Sequence, residues 1–134
     1  MQLLEAAAIY AGVNILILLF LSVLVVRARQ RHKMRLGDAG NEDFLRAQRA
    51  HANAAEYIPA GIAGIFGLAL FDPATSPLFL HACGLLLTGG RIVHAFGLHA
   101  GVLNTGRVVG MVLTWLAYVL VGGGLIYAGL SQQL

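Results

Sequence analysis

The sequence predicts an all-α protein: a transmembrane four-helix bundle. Three observations carry that expectation. Of its 134 residues, 58% are hydrophobic and only 11% are charged, where a soluble domain carries about 25% charged residues. The apolar residues run in stretches long enough to cross a bilayer. Finally, four spans with both termini outside collect all nine lysines and arginines on one side, the cytoplasmic side by the positive-inside rule. One domain, residues 1–134, fits this length.

The first helix is expected over Leu3–Val26, apolar apart from Asn14. At about 1.5 Å per residue it reaches roughly 36 Å. No basic residue precedes it, and Arg27, Arg29, Arg31, Lys33 and Arg35 all follow it. That order fits an uncleaved helix with its N-terminus outside rather than a signal peptide. Gly37, Asp38, Gly40 and Asn41 form a loop, and Asn41 or Asp43 is placed to cap the next helix.

The second helix is expected over Glu42–Phe71, with Pro59 inside it and Gly61, Gly64 and Gly67 beyond, a small-residue row suited to close helix contact. A turn at 72–77 with two prolines and no Lys or Arg comes next. The third helix is expected over Leu78–Leu98, and a loop over Leu98–Gly106 carries His99, Gly101, Asn104 and Gly106. The fourth runs from Arg107 to Leu130, with Trp115 and Tyr118 well inside it and Tyr127 near the outer interface; the tail Ser131–Leu134 is neutral.

The net charge of +3 gives no reason to expect nucleic acid, because no basic face is interleaved with stacking aromatics. The single cysteine, Cys83, excludes an intrachain disulfide and a thiolate metal site. No two of the five histidines have His-x3-His spacing, so no metal site is expected.

The polar opening of the second helix stands out. On a helical wheel with Arg49 at zero, Glu56 falls at about −20°, Asn53 at about +40°, Arg46 at about +60° and Tyr57 at about +80°. His51 points away, at about 200°. In lipid, such an arc must face protein or a wet cavity. It is either a ligand site or a buried ion-pair network of Arg46, Arg49 and Glu56 that fixes packing. Tyr57 is equally an interhelical hydrogen-bonding residue, and His51, His94 and Cys83 have packing roles open to them.

The arc, together with the polar residues of the third and fourth helices, resembles a known family. Arg49-x3-Asn53-x2-Glu56-Tyr57, with Pro59 after it, then Arg91-x2-His94, then Arg107 sixteen positions past Arg91, look like the MAPEG family, membrane-associated proteins in eicosanoid and glutathione metabolism. Length, span count and topology agree over the whole chain. The run from His51 to Pro59 looks most like that of small uncharacterised inner-membrane members from bacteria.

The resemblance implies a homotrimer with glutathione held between neighbouring subunits, open to the cytoplasm, in a bacterial inner membrane. It implies that Arg49, Asn53, Glu56 and Tyr57 hold the peptide, with Arg91 and His94 close by and Arg46 beside them on the arc. It implies that Arg107 stabilises the glutathione thiolate. The first-loop arginine of the family has two matches, Arg31 and Arg35. One departure stands out: Leu98 occupies the place of a tyrosine found in many members.

The function so implied is that of a glutathione transferase or peroxidase of detoxification type. The thiolate would attack a lipophilic electrophile arriving from the bilayer, and no protein nucleophile is required. The alternative is a non-catalytic membrane protein that binds a small anion or scaffolds partners, and a small-molecule exporter is a third reading. Besides other copies of itself, its expected partners are glutathione, a lipophilic small molecule and membrane lipids, with no nucleic acid.

Overall fold

The computed structural model describes residues 2–35, 37, 40–71, 75–100 and 105–131. The expectations for Leu36, Asp38, Asp72 to Ala74, Gly101, Asn104 and the tail beyond Ser131 lie outside the described residues. Four helices run in order: α1 (Gln2–Arg31), α2 (Glu42–Phe71), α3 (Pro77–Ala100) and α4 (Thr105–Ser131). Each is long and apolar enough to cross a membrane.

The expected spans hold, and the main difference is at the end of α1. Its helix continues past Val26 through the basic run to Arg31. Arginine is a good helix former, and cations suit the negative end of the helix dipole. The helix stops at Lys33, whose φ of 51° is left-handed. The Met34 N–H then bonds back to the Arg29 carbonyl at 3.0 Å, closing the last turn.

Gly40, at φ 72°, turns the chain into α2. Asn41 is the cap: its Oδ1 accepts the Phe44 N–H at 2.9 Å. Asp43 instead faces back to α1, 3.0 Å from His32 Nε2 and 3.7 Å from Arg31. α2 then runs through Pro59 without a break in its assignment. Ser76 caps α3 by accepting the Phe79 N–H at 3.1 Å, with Pro77 in the first turn, where its missing N–H costs nothing.

α1 packs on α2 and α3, and α4 packs on α2 and α3; α1 and α4 do not touch among the described residues. The α2–α3 pair is therefore the centre, with α1 and α4 on its flanks. Tyr10 and Asn14 meet His81 and Thr88, so α1 and α3 run parallel. The α1–α2 and α3–α4 connections thus share one end of the bundle, and the start of α1 and the end of α4 share the other.

The main core joins Ala7, Tyr10, Ile65, Leu68, Leu80, Cys83, Leu87, Ala117 and Val121. The expected glycine row works inside the chain. A Cβ at Gly61 would meet Leu87 of α3, and one at Gly67 would meet Leu125 of α4. Toward the other end, Leu21, Ala50, Ala54, Ile58, Ala95 and Leu98 form a second cluster.

The tightest helix contact was not foreseen. A Cβ at Gly90 would lie 2.6 Å from Thr114 Oγ1 and 2.9 Å from the Gly110 carbonyl, and one at Gly110 would lie 2.6 Å from the Gly90 carbonyl. A Cβ at Gly97 would strike the Arg107 backbone nitrogen. α3 and α4 meet backbone to backbone at these glycines, which is how small residues serve in lipid.

Candidate functional site

At the end of the bundle that carries the α1–α2 and α3–α4 connections, α2, α3 and α4 enclose a cleft of about 490 Å³. Small-molecule sites commonly occupy about 300–1,000 Å³. It is lined by Arg46, Arg49, Asn53 and Glu56 of α2, by His94 and Leu98 of α3, and by Arg107 of α4. Six of the eight residues singled out from the sequence therefore share one cavity, though they come from three helices.

Helical spacing explains the α2 contribution. Arg46, Arg49, Asn53 and Glu56 recur every three or four residues, so they stand one above another on one face. Ala47, Ala50, Ala54 and Ile58 occupy the opposite, buried face. Arg49 and Glu56 are exposed on the single chain, while Arg46 and Asn53 are half-buried.

The ion-pair network that the sequence left open is absent among the described residues. Arg46 pairs with Glu42, 2.8 Å away and one turn back, and no ion pair links Glu56 to Arg46 or Arg49. The cleft thus presents three arginines and one unpaired carboxylate. Neither Arg31 nor Arg35 lines it, and Arg31 leans instead on Asp43.

Arg91 and Tyr57 lie behind this wall rather than in it. Arg91 is 1% exposed, among the most buried side chains of the molecule, and no carboxylate pairs with it among the described residues. Neutral acceptors satisfy it. Nε and one terminal nitrogen donate to Thr114 Oγ1 at 3.0 and 2.6 Å, and that nitrogen also reaches the Gly110 carbonyl at 3.3 Å. The other terminal nitrogen donates to Asn53 Oδ1.

The guanidinium also stacks over the Tyr57 ring, 5.0 Å from its centroid, a cation–π contact strengthened by burial. Tyr57 in turn packs edge to face on Tyr118, whose hydroxyl donates to the Tyr57 carbonyl at 2.6 Å. His94 is 4% exposed yet still reaches the cleft wall, one turn along α3 from Arg91.

Thr114, Tyr118 and the glycines of the α3–α4 contact were missed. A signal was present. Gly106, Gly110 and Thr114 recur every fourth residue along the start of α4, a small-residue stripe opposite Gly90 and Gly97. Read that way, the stripe would have placed Thr114 against Arg91. Among the described residues no group of three or more His, Cys, Asp or Glu could hold a metal ion.

An arginine-lined cleft, with Asn53, Glu56 and His94 in its wall, thus lies at one end of a bundle of four membrane-length helices. A sequence model of the MAPEG family matches residues 7–127. The chain belongs to the MAPEG family and is an all-α membrane protein. Among curated proteins it is similar to the inner membrane protein YecN of Escherichia coli strain K12, 35% identical over 114 residues that cover 85% of each chain. YecN of Escherichia coli O6:H1 strain CFT073 matches to the same extent.

Proposed function

We propose that this protein binds glutathione in the arginine-lined cleft and uses its thiolate against lipophilic electrophiles, as a glutathione transferase or peroxidase of a bacterial inner membrane. The single observation that carries this reading is the charge set of the cleft lining: Arg49, Arg107 and Arg46, the last also paired with Glu42, with Glu56 as the carboxylate of the lining. Glutathione offers the complement, with two carboxylates, one ammonium group and a thiol. Arginine forks hold carboxylates with two parallel bonds, and Glu56 accepts from the ammonium.

Arg107 opens α4 at the rim of the cleft, where it favours the thiolate over a thiol whose free pKa is near 8.5. In conjugation, the thiol proton passes to water, the sulfur forms a bond to the electrophilic carbon, and the leaving group departs with its electron pair. In the peroxidase reaction, two glutathione molecules and one hydroperoxide give the disulfide, an alcohol and water.

The polar arc of α2 is open on a single chain, which supports a homotrimer with this face between subunits and the cleft toward the cytoplasm. Mass determination in detergent tests the assembly, and a stable monomer or dimer counts against it. For topology, a cysteine at Gly37 should be shielded from impermeant thiol reagents in intact cells and one at Ser76 should be labelled. Ser76 is the better reporter than its neighbour Thr75, which is buried.

The decisive experiment is calorimetric titration of the purified protein with glutathione, followed by thiolate absorbance across pH. Binding with a thiolate signal near neutral pH is expected. Arg107→Ala should leave much of the binding intact and raise the pKa of the bound thiol, while Arg107→Lys keeps the charge but loses the fork. A second reading is favoured by Leu98, an apolar wall of the cleft: binding of the anion without catalysis. Glutathione binding with no thiolate signal selects it.

A further inference from the structure

We propose that Thr114 is a positioning residue of the cleft: it holds Arg91, and Arg91 fixes the amide of Asn53 so that its N–H2 end is left for the ligand. The inference rests on the glutathione reading for its ligand, but its geometry is independent of it.

The argument starts at the α3–α4 contact. Gly90 and Gly110 let the two backbones approach until a Cβ at Gly90 would lie 2.6 Å from Thr114 Oγ1. That approach brings the hydroxyl under the guanidinium of Arg91, the next residue on α3. The hydroxyl has one proton and two lone pairs. Its proton goes to the Gly110 carbonyl at 2.8 Å, so both lone pairs face Arg91, which donates from Nε and from a terminal nitrogen. The threonine is thereby saturated and one edge of the guanidinium is locked.

The far edge of the guanidinium then decides the state of Asn53. Guanidinium nitrogens only donate. An asparagine amide offers an acceptor at one end and a donor at the other, and only the oxygen can face Arg91. Asn53 Oδ1 does so, and Asn53 also lines the cleft. The cleft therefore receives an N–H2 donor, the polarity that suits an anion. With Arg91 loose, the amide could turn and offer its oxygen, which a carboxylate ligand would repel. Arg91 itself is walled off from the cleft, so its effect on a ligand passes through Asn53 and through its uncompensated charge.

The test combines a ligand-free readout with a binding one. The side-chain amide resonance of Asn53 is identified in 15N-labelled protein in detergent by its loss in Asn53→Ala. Thr114→Val keeps the shape and removes the hydroxyl, and Thr114→Ser restores the hydroxyl without the methyl. The Asn53 resonance should move in Thr114→Val and return in Thr114→Ser. Glutathione affinity should fall about tenfold in the first and recover in the second, the size of one lost bond to a charged group. Combining Thr114→Val with Arg91→Lys should weaken binding no further than Arg91→Lys alone, because both break one relay.

An unmoved Asn53 resonance in folded Thr114→Val overturns the proposal. Should that variant fail to fold, Arg91→Lys must displace the same resonance, and its failure to do so overturns the proposal equally. If the resonance behaves as expected but wild-type protein takes up no glutathione, the relay stands and the glutathione reading falls.

Discussion

Two of the polar contacts that cross helix seams in this bundle end on a threonine hydroxyl, and they use it to different ends. On the α1–α3 seam, Asn14 Nδ2 donates to Thr88 Oγ1 at 2.8 Å. On the α3–α4 seam, Arg91 donates to Thr114 Oγ1. The first contact is neutral, buried and outside the cleft lining. The second is charged and continues through Asn53 into the cleft. The contrast separates a polar pair that aligns helices from one that shapes a site: the connection onward to a cavity makes the difference, not the burial.

Backbone packing differs in the same way, and the largest expected effect comes from it. On the α3–α4 seam, a Cβ at Gly110 would lie 2.5 Å from the His94 backbone nitrogen and 2.6 Å from the Gly90 carbonyl. On the α1–α3 seam, the three atoms nearest a Cβ at Gly84 all belong to the ring of Tyr10. The Tyr10 side chain can shift as a whole, at the cost of its contact with His81, whereas helix backbones must separate. Gly110→Val should therefore cost about 3 kcal/mol or more, at the upper end of overpacking, and should abolish ligand binding by pulling α4 from α3. Gly84→Ala should cost about 1–2 kcal/mol and leave binding intact. Thermal unfolding in detergent with calorimetry on the same samples checks both. Equal losses would show that the two seams are equivalent.

The next effect in size lies within the cleft. Arg49→Ala and Glu56→Ala should each weaken glutathione binding by about 1.5–3 kcal/mol, the worth of a hydrogen bond to a charged group. Both side chains are exposed on the single chain, so neither change should move the unfolding midpoint much. If either variant binds as wild type does, that residue does not contact the ligand. Arg46→Ala should weaken binding less, because Arg46 is already engaged by Glu42.

Much of this was legible in the sequence. The four spans come from apolar length, and the α2 share of the site comes from one helical face, since both depend on local periodicity. The family motif singled out His94 and Arg107, which line the same cleft, and periodicity within one helix could not have joined them to the α2 face. What escaped depends on how helices pair. Whether Gly61 and Gly67 face α3, α4 or a second copy is not a property of α2, and Thr114 is an ordinary hydroxyl until its partner helix is known. For the same reason Arg91, by its motif a ligand contact, proved to lie behind the cleft wall, where only the packing of α3 on α4 could put it.

The smallest expected effect sharpens the comparison most, because it asks a buried polar residue to be nearly dispensable. Asn14 is fully buried; its Nδ2 donates to Thr88 and to the Tyr10 carbonyl, yet its Oδ1 has no partner among the described residues. Asn14→Leu keeps the branched heavy-atom shape and removes that orphaned acceptor, whose burial costs about 1–3 kcal/mol. It also removes two donated bonds, and interhelical hydrogen bonds in membranes average only about 0.6 kcal/mol. No new orphan results: the Tyr10 carbonyl keeps its helix bond, and the Thr88 hydroxyl can turn to a carbonyl of its own helix. Stability should change by less than about 1 kcal/mol, and glutathione affinity should not change at all. Thr114→Val differs because it leaves donors of a buried cation without acceptors. A loss above about 2 kcal/mol in Asn14→Leu, read from thermal unfolding in detergent, would mean that Oδ1 has a donor in solution, with a bridging water the first candidate. In that case the α1–α3 seam is as strictly specified as the one that builds the cleft.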